Sequence, residues 1–523
     1  MVATYLLAVC NATFWAHLTS IFGDSPLSGA VFAAAVWALM LLVVTLLTPG
    51  RLQRPMLVFL LLLAGVTSYY MDKLGVIIDR EMIQNAATTT FAESKHLITL
   101  EFVKHVLIVG GIPSLFVLWV QVERKSFLRA TLGWLGVGAV SAALCVGLLL
   151  TDLKHFSTVL RGHKELMAST QPLAPLAGTI RYVRMMVKST KIELQPTGTD
   201  AQKGALLAAV EKPVLMVIVA GETSRAQNWS LGGYARETNP ELAVRDIVYF
   251  DQAQSCGTAT ATSLPCMFSP LVREDYSFEG GLSHENLLDV MAHAGFHVEW
   301  WDNNTGDKNI ADRVSSYTMS AEDGAAFCKD ECIDDVFLAR LDKLAAEMTE
   351  DTVVVLHQIG SHGPSYWLRY PEDAEAFQPA CHSAEFGQCT SEQIVNAYDN
   401  TILETDRFLS KVIDRLDAQD RVVPAMFYAS DHGESLGENG LYLHGSPWFM
   451  APEQQTHVPM VLWLSERYRT ALGLDQSCLA DAGSGQTSHD NIFSTVLGLT
   501  GVETEARDES LDLAAGCRTV PAL

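Results

Sequence analysis

The sequence is poor in charge, and poorest in positive charge. Asp, Glu, Lys and Arg make up only 18% of its 523 residues, and 36 Lys and Arg stand against 60 acids, a net charge of −24. That balance excludes a nucleic-acid binder working through general basic charge. With 49% hydrophobic residues and a mean hydropathy of +0.16, it also excludes a disordered chain and an ordinary soluble one. Low-complexity tracts and internal repeats are lacking, which removes repeat arrays. The basic n-region of a cleaved leader is lacking too: the first apolar run holds Asn11 and His17 and is followed at once by others, so it reads as a retained span.

What is present in quantity is long apolar runs. Five occur, at about 2–22, 30–48, 56–74, 102–122 and 131–151, each able to cross a bilayer core of roughly 30 Å as helix. Residues 1–151 are therefore expected to form a five-helix transmembrane domain. Short loops carrying Arg51 and Arg54, and Arg124, Lys125 and Arg129, belong on the cytoplasmic side, whereas Gly23-Asp24-Ser25-Pro26 has no basic residue. This places loop 72–101 and everything after 152 outside, with the loop polar enough to lie at the interface. Residues 152–212, with Lys154, Arg161, Lys164, Arg181, Arg184, Lys188 and Lys191 before a Gln195–Thr199 break, read as an amphipathic bridge. Cys10 and Cys145 fall in spans. The other eight cysteines lie beyond 152, an even set that in an oxidising compartment reads as four disulfides rather than as a zinc site at Cys328 and Cys332.

From 213 to 523 apolar strands alternate with helices. Strands are expected at Val214–Ala220, Val248–Phe250, His297–Trp300, Thr352–Gln358, Ala425–Ala429 and Met460–Leu464, and helices at Ser283–Ala294, Asp334–Met348, Ser391–Leu416 and Asn491–Leu499. That pattern implies a mostly parallel sheet covered on both faces, with ligands bound beyond the carboxyl ends of the strands. Glu222 follows one such strand; Asp431 and His432 follow another. Two carboxylates and an imidazole suit Zn²⁺ with one position left for a reacting group. The stretch Ser255-Cys-Gly-Thr-Ala-Thr-Ala-Thr-Ser263 offers hydroxyl nucleophiles in a small-residue loop, and spacing leaves Thr258, Thr260 and Thr262 open. His457, beside Pro459, reads as strand entry.

Together, Gly221-Glu-Thr-Ser-Arg225, Ser255–Thr260, Asp302-Asn-Asn-Thr-Gly-Asp-Lys308, Gly360-Ser-His-Gly-Pro364 and Ser430-Asp-His-Gly-Glu434 resemble the lipid A phosphoethanolamine transferases. That family includes the mobile colistin-resistance enzymes and has an alkaline phosphatase/sulfatase-like fold. The resemblance runs over essentially the whole chain, five spans before a periplasmic domain included. It implies Thr260 as the nucleophile that becomes phosphoethanolaminylated, and Glu222, Asp431 and His432 as ligands of one tightly bound zinc alongside it. It also implies His362 and His444 near a second metal or the leaving group, and Asn304 and Lys308 on the phosphoethanolamine group. A shorter match brings Asn85, Thr89 and Glu93 to a donor-contacting loop. The pairs Cys256–Cys266, Cys328–Cys332 and Cys381–Cys389 fit the family's bridges, with Cys478–Cys517 as the remainder. The implied activity is transfer of phosphoethanolamine from phosphatidylethanolamine to a lipid A phosphate in the bacterial inner membrane, conferring resistance to polymyxins and cationic peptides. A monomer that binds no nucleic acid is expected. A core sugar of lipopolysaccharide is the alternative acceptor, and another phosphodiesterase or sulfatase of the same fold the alternative activity. A sulfatase would want Cys/Ser-x-Pro-x-Arg, which is absent around Thr260.

Overall fold

The computed structural model describes residues 1–89, 94–121, 126–329 and 331–518. The chain divides into two compact units. One comprises Met1–Gln84, Leu97–Val183 and Asn439–Tyr442; the other comprises Asn85–His96, Arg184–Glu438 and Leu443–Leu523.

The first unit is helical. Its helices are α1 (Val2–Val9), α2 (Ala12–Ile21), α3 (Pro26–Leu47), α4 (Gln53–Leu74), α5 (Leu100–Trp119) and α6 (Phe127–Leu150). Among the described residues four stretches, Pro26–Leu47, Gly50–Leu74, Leu100–Trp119 and Phe127–Leu150, are long and apolar enough to cross a membrane. The run at 2–22 differs from the expected single span, because Asn11 breaks it into α1 and α2. The Asn11 amide is buried and donates to the carbonyls of Leu6 and Gln171, both at 2.8 Å, and its oxygen accepts the Gln171 N–H at 2.6 Å. A side chain satisfying backbone groups on both sides replaces the helical ladder at that point. Within α5, Val106–Gly111 forms a π-helical turn, and Gly110 there packs so closely on α4 that a Cβ on Gly65 would sit 3.2 Å from the Gly110 nitrogen. The region read as a bridge begins as helix α7 (Leu153–Gly162), which buries Phe156 and Val159, and continues to α8 (Leu173–Ser189). Arg124 and Lys125 lie outside the described residues.

The second unit is built on an eight-stranded sheet of β1 (Val214–Gly221), β2 (Ile247–Gln254), β3 (His297–Asp302), β4 (Ser315–Thr318), β5 (Thr352–His357), β6 (Val423–Ser430), β7 (His457–Leu464) and β8 (Thr487–Ser488). Their order is β8-β2-β7-β6-β1-β5-β3-β4. Only β7 runs against its neighbours, so the sheet is mostly parallel as its continuous apolar strands require. Every residue of β1, β5 and β6 is buried. Helices α9 (Thr260–Met267), α10 (Leu287–His293), α11 (Leu338–Glu347), α12 (Ser391–Asp417) and α13 (Ile492–Thr500) accompany it. The helix expected over Ser283–Ala294 starts only at Leu287, because Asn286 and Asp289 form a capping box there. Four disulfides join Cys256 to Cys266, Cys328 to Cys332, Cys381 to Cys389 and Cys478 to Cys517, while Cys10 and Cys145 are free and buried.

The Cys478–Cys517 bridge spans 39 residues and Cys328–Cys332 only 4. Loop-closure entropy assigns them about 4 and about 2 kcal/mol respectively. Replacing Cys478 and Cys517 by Ser should thus lower the unfolding midpoint of the oxidised, detergent-solubilised protein more than replacing Cys328 and Cys332. The reverse order in a urea titration would contradict this ranking.

Candidate active site

Two adjacent parallel strands set the geometry. β1 and β6 pair in register with Gly221 opposite Ser430, so the residues that follow, Glu222 and Asp431, leave the sheet side by side. His432 comes next, and all three are buried. One ligand atom from each lies within 4.8 Å of the others. Gly433 is required behind them, since a Cβ there would meet the Gln454 carbonyl at 2.1 Å.

Thr260 opens α9 with its Oγ1 3.2 Å from Glu222 Oε2 and 3.2 Å from His432 Nε2. The Thr258 hydroxyl is turned away and donates to the Ser446 carbonyl at 2.7 Å. Of these two threonines only Thr260 reaches the acids. The Cys256–Cys266 bridge brackets this loop and the first two turns of α9.

The hydrogen bonds around the cluster leave lone pairs facing inward. His432 Nδ1 donates to the Gly433 carbonyl at 2.9 Å, which turns Nε2 towards the acids and Thr260. Asp431 Oδ1 accepts the N–H groups of Thr223 and His432 at 3.1 and 2.7 Å, while its Oδ2 is buried with no hydrogen-bond partner among the described residues. Burial pushes the Asp431 carboxyl up and the charge of Glu222 pushes it further. Burial acts on Glu222 in the same sense, but the imidazoles of His432, His362 and His444 outweigh it and hold that carboxyl below its usual range. An orphaned carboxylate oxygen beside a second buried carboxylate is costly without a cation. Two carboxylates, an imidazole and a hydroxyl form a donor set that fits Zn²⁺.

A second layer of groups fixes the first. Asn304 Nδ2 donates to Glu222 Oε2 at 2.9 Å and to the Gln358 carbonyl at 2.8 Å, and sits 3.3 Å from His357 Nε2. His357 Nδ1 is 2.8 Å from Asp302 Oδ2, and these two residues are register partners on β5 and β3. Burial would lower the His357 pKa, but Asp302 overcomes it and raises it. His489 Nε2 donates to the Ser430 carbonyl at 2.9 Å, and its Nδ1 accepts the Cys256 N–H at 3.1 Å. Burial pushes this imidazole down to about 4, in keeping with a neutral ring in that double role. The Tyr398 hydroxyl of α12 donates to the Thr223 carbonyl at 2.8 Å and accepts the Arg225 N–H at 2.9 Å. His357, His489 and Tyr398 carry no local sequence signature, because strand pairing or tertiary packing alone brings them here.

The remaining sequence candidates divide. The ring of His444 lies 4.4 Å from that of His432, and that of His362 lies 5.6 Å from His444. His444 Nδ1 is 2.9 Å from Glu434 Oε2, and Glu434 Oε1 accepts the Tyr366 hydroxyl at 2.7 Å. Burial raises the Glu434 carboxyl to about 8. The Lys308 ammonium donates to the carbonyl and hydroxyl of Thr305, both at 2.7 Å, and lies 3.4 Å from the Thr88 carbonyl. Asn85 belongs to the helix Arg80–Thr88, and its carbonyl accepts the Thr89 hydroxyl at 2.7 Å. Glu93 lies outside the described residues.

Two family models match the chain, Phosphoethanolamine transferase EptA/EptB over residues 36–186 and Sulfatase over residues 215–502. The phosphoethanolamine transferase EptA of Escherichia coli K12 is 38% identical over 99% of this chain and 96% of its own length. The phosphatidylethanolamine transferase Mcr-1 of Escherichia coli is 35% identical over 89% of each. The solved structure of the integral membrane lipooligosaccharide phosphoethanolamine transferase A from Neisseria meningitidis superposes with a TM-score of 0.94 at 33% identity, covering 99% of this chain and 97% of that one. A helical unit of apolar spans, a sulfatase-like sheet with an acid–histidine cluster at its carboxyl end, and full-length similarity all converge: the chain belongs to the EptA-type phosphoethanolamine transferases, within the alkaline phosphatase/sulfatase superfamily.

Proposed function

We propose that the chain takes phosphoethanolamine from phosphatidylethanolamine, holds it on Thr260, and delivers it to a phosphate of lipid A. The observation that carries this reading is the Thr260 hydroxyl within hydrogen-bond reach of both Glu222 and His432, inside a buried cluster. Glu222, Asp431 and His432, with Thr260, would hold one Zn²⁺, which supplies Lewis acidity that lowers a hydroxyl pKa and offsets charge on phosphoryl oxygens. In the first half-reaction Thr260 Oγ1 loses its proton within the cluster and bonds to the donor phosphorus. The phosphorus–glycerol oxygen bond breaks, and the departing diacylglycerol oxygen takes up a proton. In the second, an acceptor phosphate oxygen attacks the same phosphorus, the Thr260 bond breaks and its hydroxyl is restored. His444, oriented through Nδ1 by Glu434, and His362 beside it are the groups placed to move those protons. Asn304 holds Glu222 in line. The chain would work in the bacterial inner membrane with its second unit in the periplasm. Each added ethanolamine ammonium would weaken the negative surface field that attracts polymyxins and other cationic peptides.

Mass spectrometry tests the reaction directly. Lipid A from cells producing the wild type should gain one phosphoethanolamine group, and lipid A from cells producing Thr260→Ala should gain none. Incubation of the purified protein with phosphatidylethanolamine should place the group on the peptide containing Thr260. A label on Thr258 or Thr262, or none under quenching conditions, would refute the intermediate.

A second test uses pH. Asp431 and Glu434 both titrate above the usual carboxyl range in the fold. The folded state therefore keeps protons that the unfolded chain releases, and metal-stripped protein should lose stability as pH rises from about 5 to about 8. Zinc competes with those protons, so the thermal shift on adding zinc should be several degrees larger near pH 8 than near pH 5.5. Asp431→Asn should abolish most of it. An equal shift at both pH values, or an unaltered shift in the variant, would contradict the assignment.

A further inference from the structure

A groove of about 510 Å³ opens at the edge of the sheet where β8, β2 and β7 meet. It belongs to the same end of the sheet as the acid cluster, because β2 runs straight into the Ser255–Thr260 loop and Ser488 of β8 is followed by His489, which accepts the Cys256 N–H. β2 stands two positions from β6 in the sheet, which displaces the groove about 10 Å sideways from Asp431 at the usual strand spacing.

Its lining is rich in uncommitted hydrogen-bonding groups and poor in net charge. Gln252 and Gln254, two residues apart and so on one face of β2, line it together with Gln486, and all three amides are unspent on any described residue. Ser488, the register partner of Gln254 and so on the same face, lines it too, whereas Thr487 pairs with Ala253 and turns its hydroxyl to the buried face. The ionisable lining residues, Glu453 and His457, pair with each other at 3.4 Å. Primary amides donate and accept at once, as do the hydroxyl and acylamino groups of a sugar ring, whereas a phosphate would need unpaired positive charge that this lining does not offer.

We propose that this groove holds a sugar ring of the acceptor glycolipid, one or two rings away from the phosphate that receives the transferred group. The assignment rests on the lipid A reading above and adds to it the contact that distinguishes a glycolipid acceptor from a bare phosphate.

The test uses full-length protein in detergent, comparing wild type with Gln254→Ala/Gln486→Ala and with Gln252→Ala. Saturation-transfer NMR with the disaccharide of N-acetylglucosamine reads direct binding, labelling of Thr260 by phosphatidylethanolamine reads the donor half-reaction, and transfer to lipid A reads the whole. Loss of one or two hydrogen bonds predicts a lipid A KM about tenfold higher in the variants with kcat changed by less than about twofold. Thr260 labelling should be unchanged, and disaccharide signals should be present in the wild type and weakened in the variants. An unchanged KM, a wild type that does not bind the disaccharide, or variants that lose Thr260 labelling would each overturn the proposal. A wild type that binds the disaccharide through these residues yet transfers nothing to lipid A would leave the sugar groove standing and refute the acceptor assigned under the proposed function.

Discussion

The second unit depends on one electrostatic constraint: two carboxyl groups, Glu222 and Asp431, are delivered side by side into a buried space by neighbouring parallel strands. Repulsion between them is a folding cost that their hydrogen bonds do not remove, because Asp431 Oδ2 accepts no hydrogen bond among the described residues. Much of the surrounding structure serves that constraint. The backbone N–H groups of Thr223 and His432 donate to Asp431 Oδ1, while Asn304 donates to Glu222 Oε2 and the Thr223 hydroxyl to Glu222 Oε1. What remains faces the Thr260 hydroxyl.

The cluster is rigid because its supports come from distant parts of the sequence. Asp302 and His357 meet as register partners and steady Asn304; α12 sends Tyr398 to the turn that carries Glu222; His489 ties the Cys256 loop to the end of β6. Such convergence pre-organises a site, as expected where chemistry is done on a fixed scaffold. Glu434 extends the network to His444 through a carboxyl that burial keeps protonated more readily than usual.

Much of this was legible in the amino-acid order. Unbroken apolar runs gave the buried strands, and a polar residue just past a run marked Glu222, Asp431 and His432 as residues at the ligand end of the sheet. Two kinds of feature were not legible. Asn11 ends a helix by bonding to Gln171, a partner 160 residues away, so hydropathy alone runs straight through the break. His357 looks like the last residue of a buried strand until pairing sets it against Asp302. Periodicity reports which face is buried, and only register and packing report which polar groups meet.

At the proposed site, one divalent cation that also touches Thr260 would relieve the Glu222–Asp431 repulsion. Diffraction from crystals of the zinc-supplemented protein, recorded on both sides of the zinc absorption edge, tests it most directly. The proposed site predicts a strong anomalous peak bonded to Glu222, Asp431, His432 Nε2 and Thr260 Oγ1. A peak elsewhere, or a cluster closed by direct carboxyl–carboxylate hydrogen bonding with no anomalous density, would contradict it.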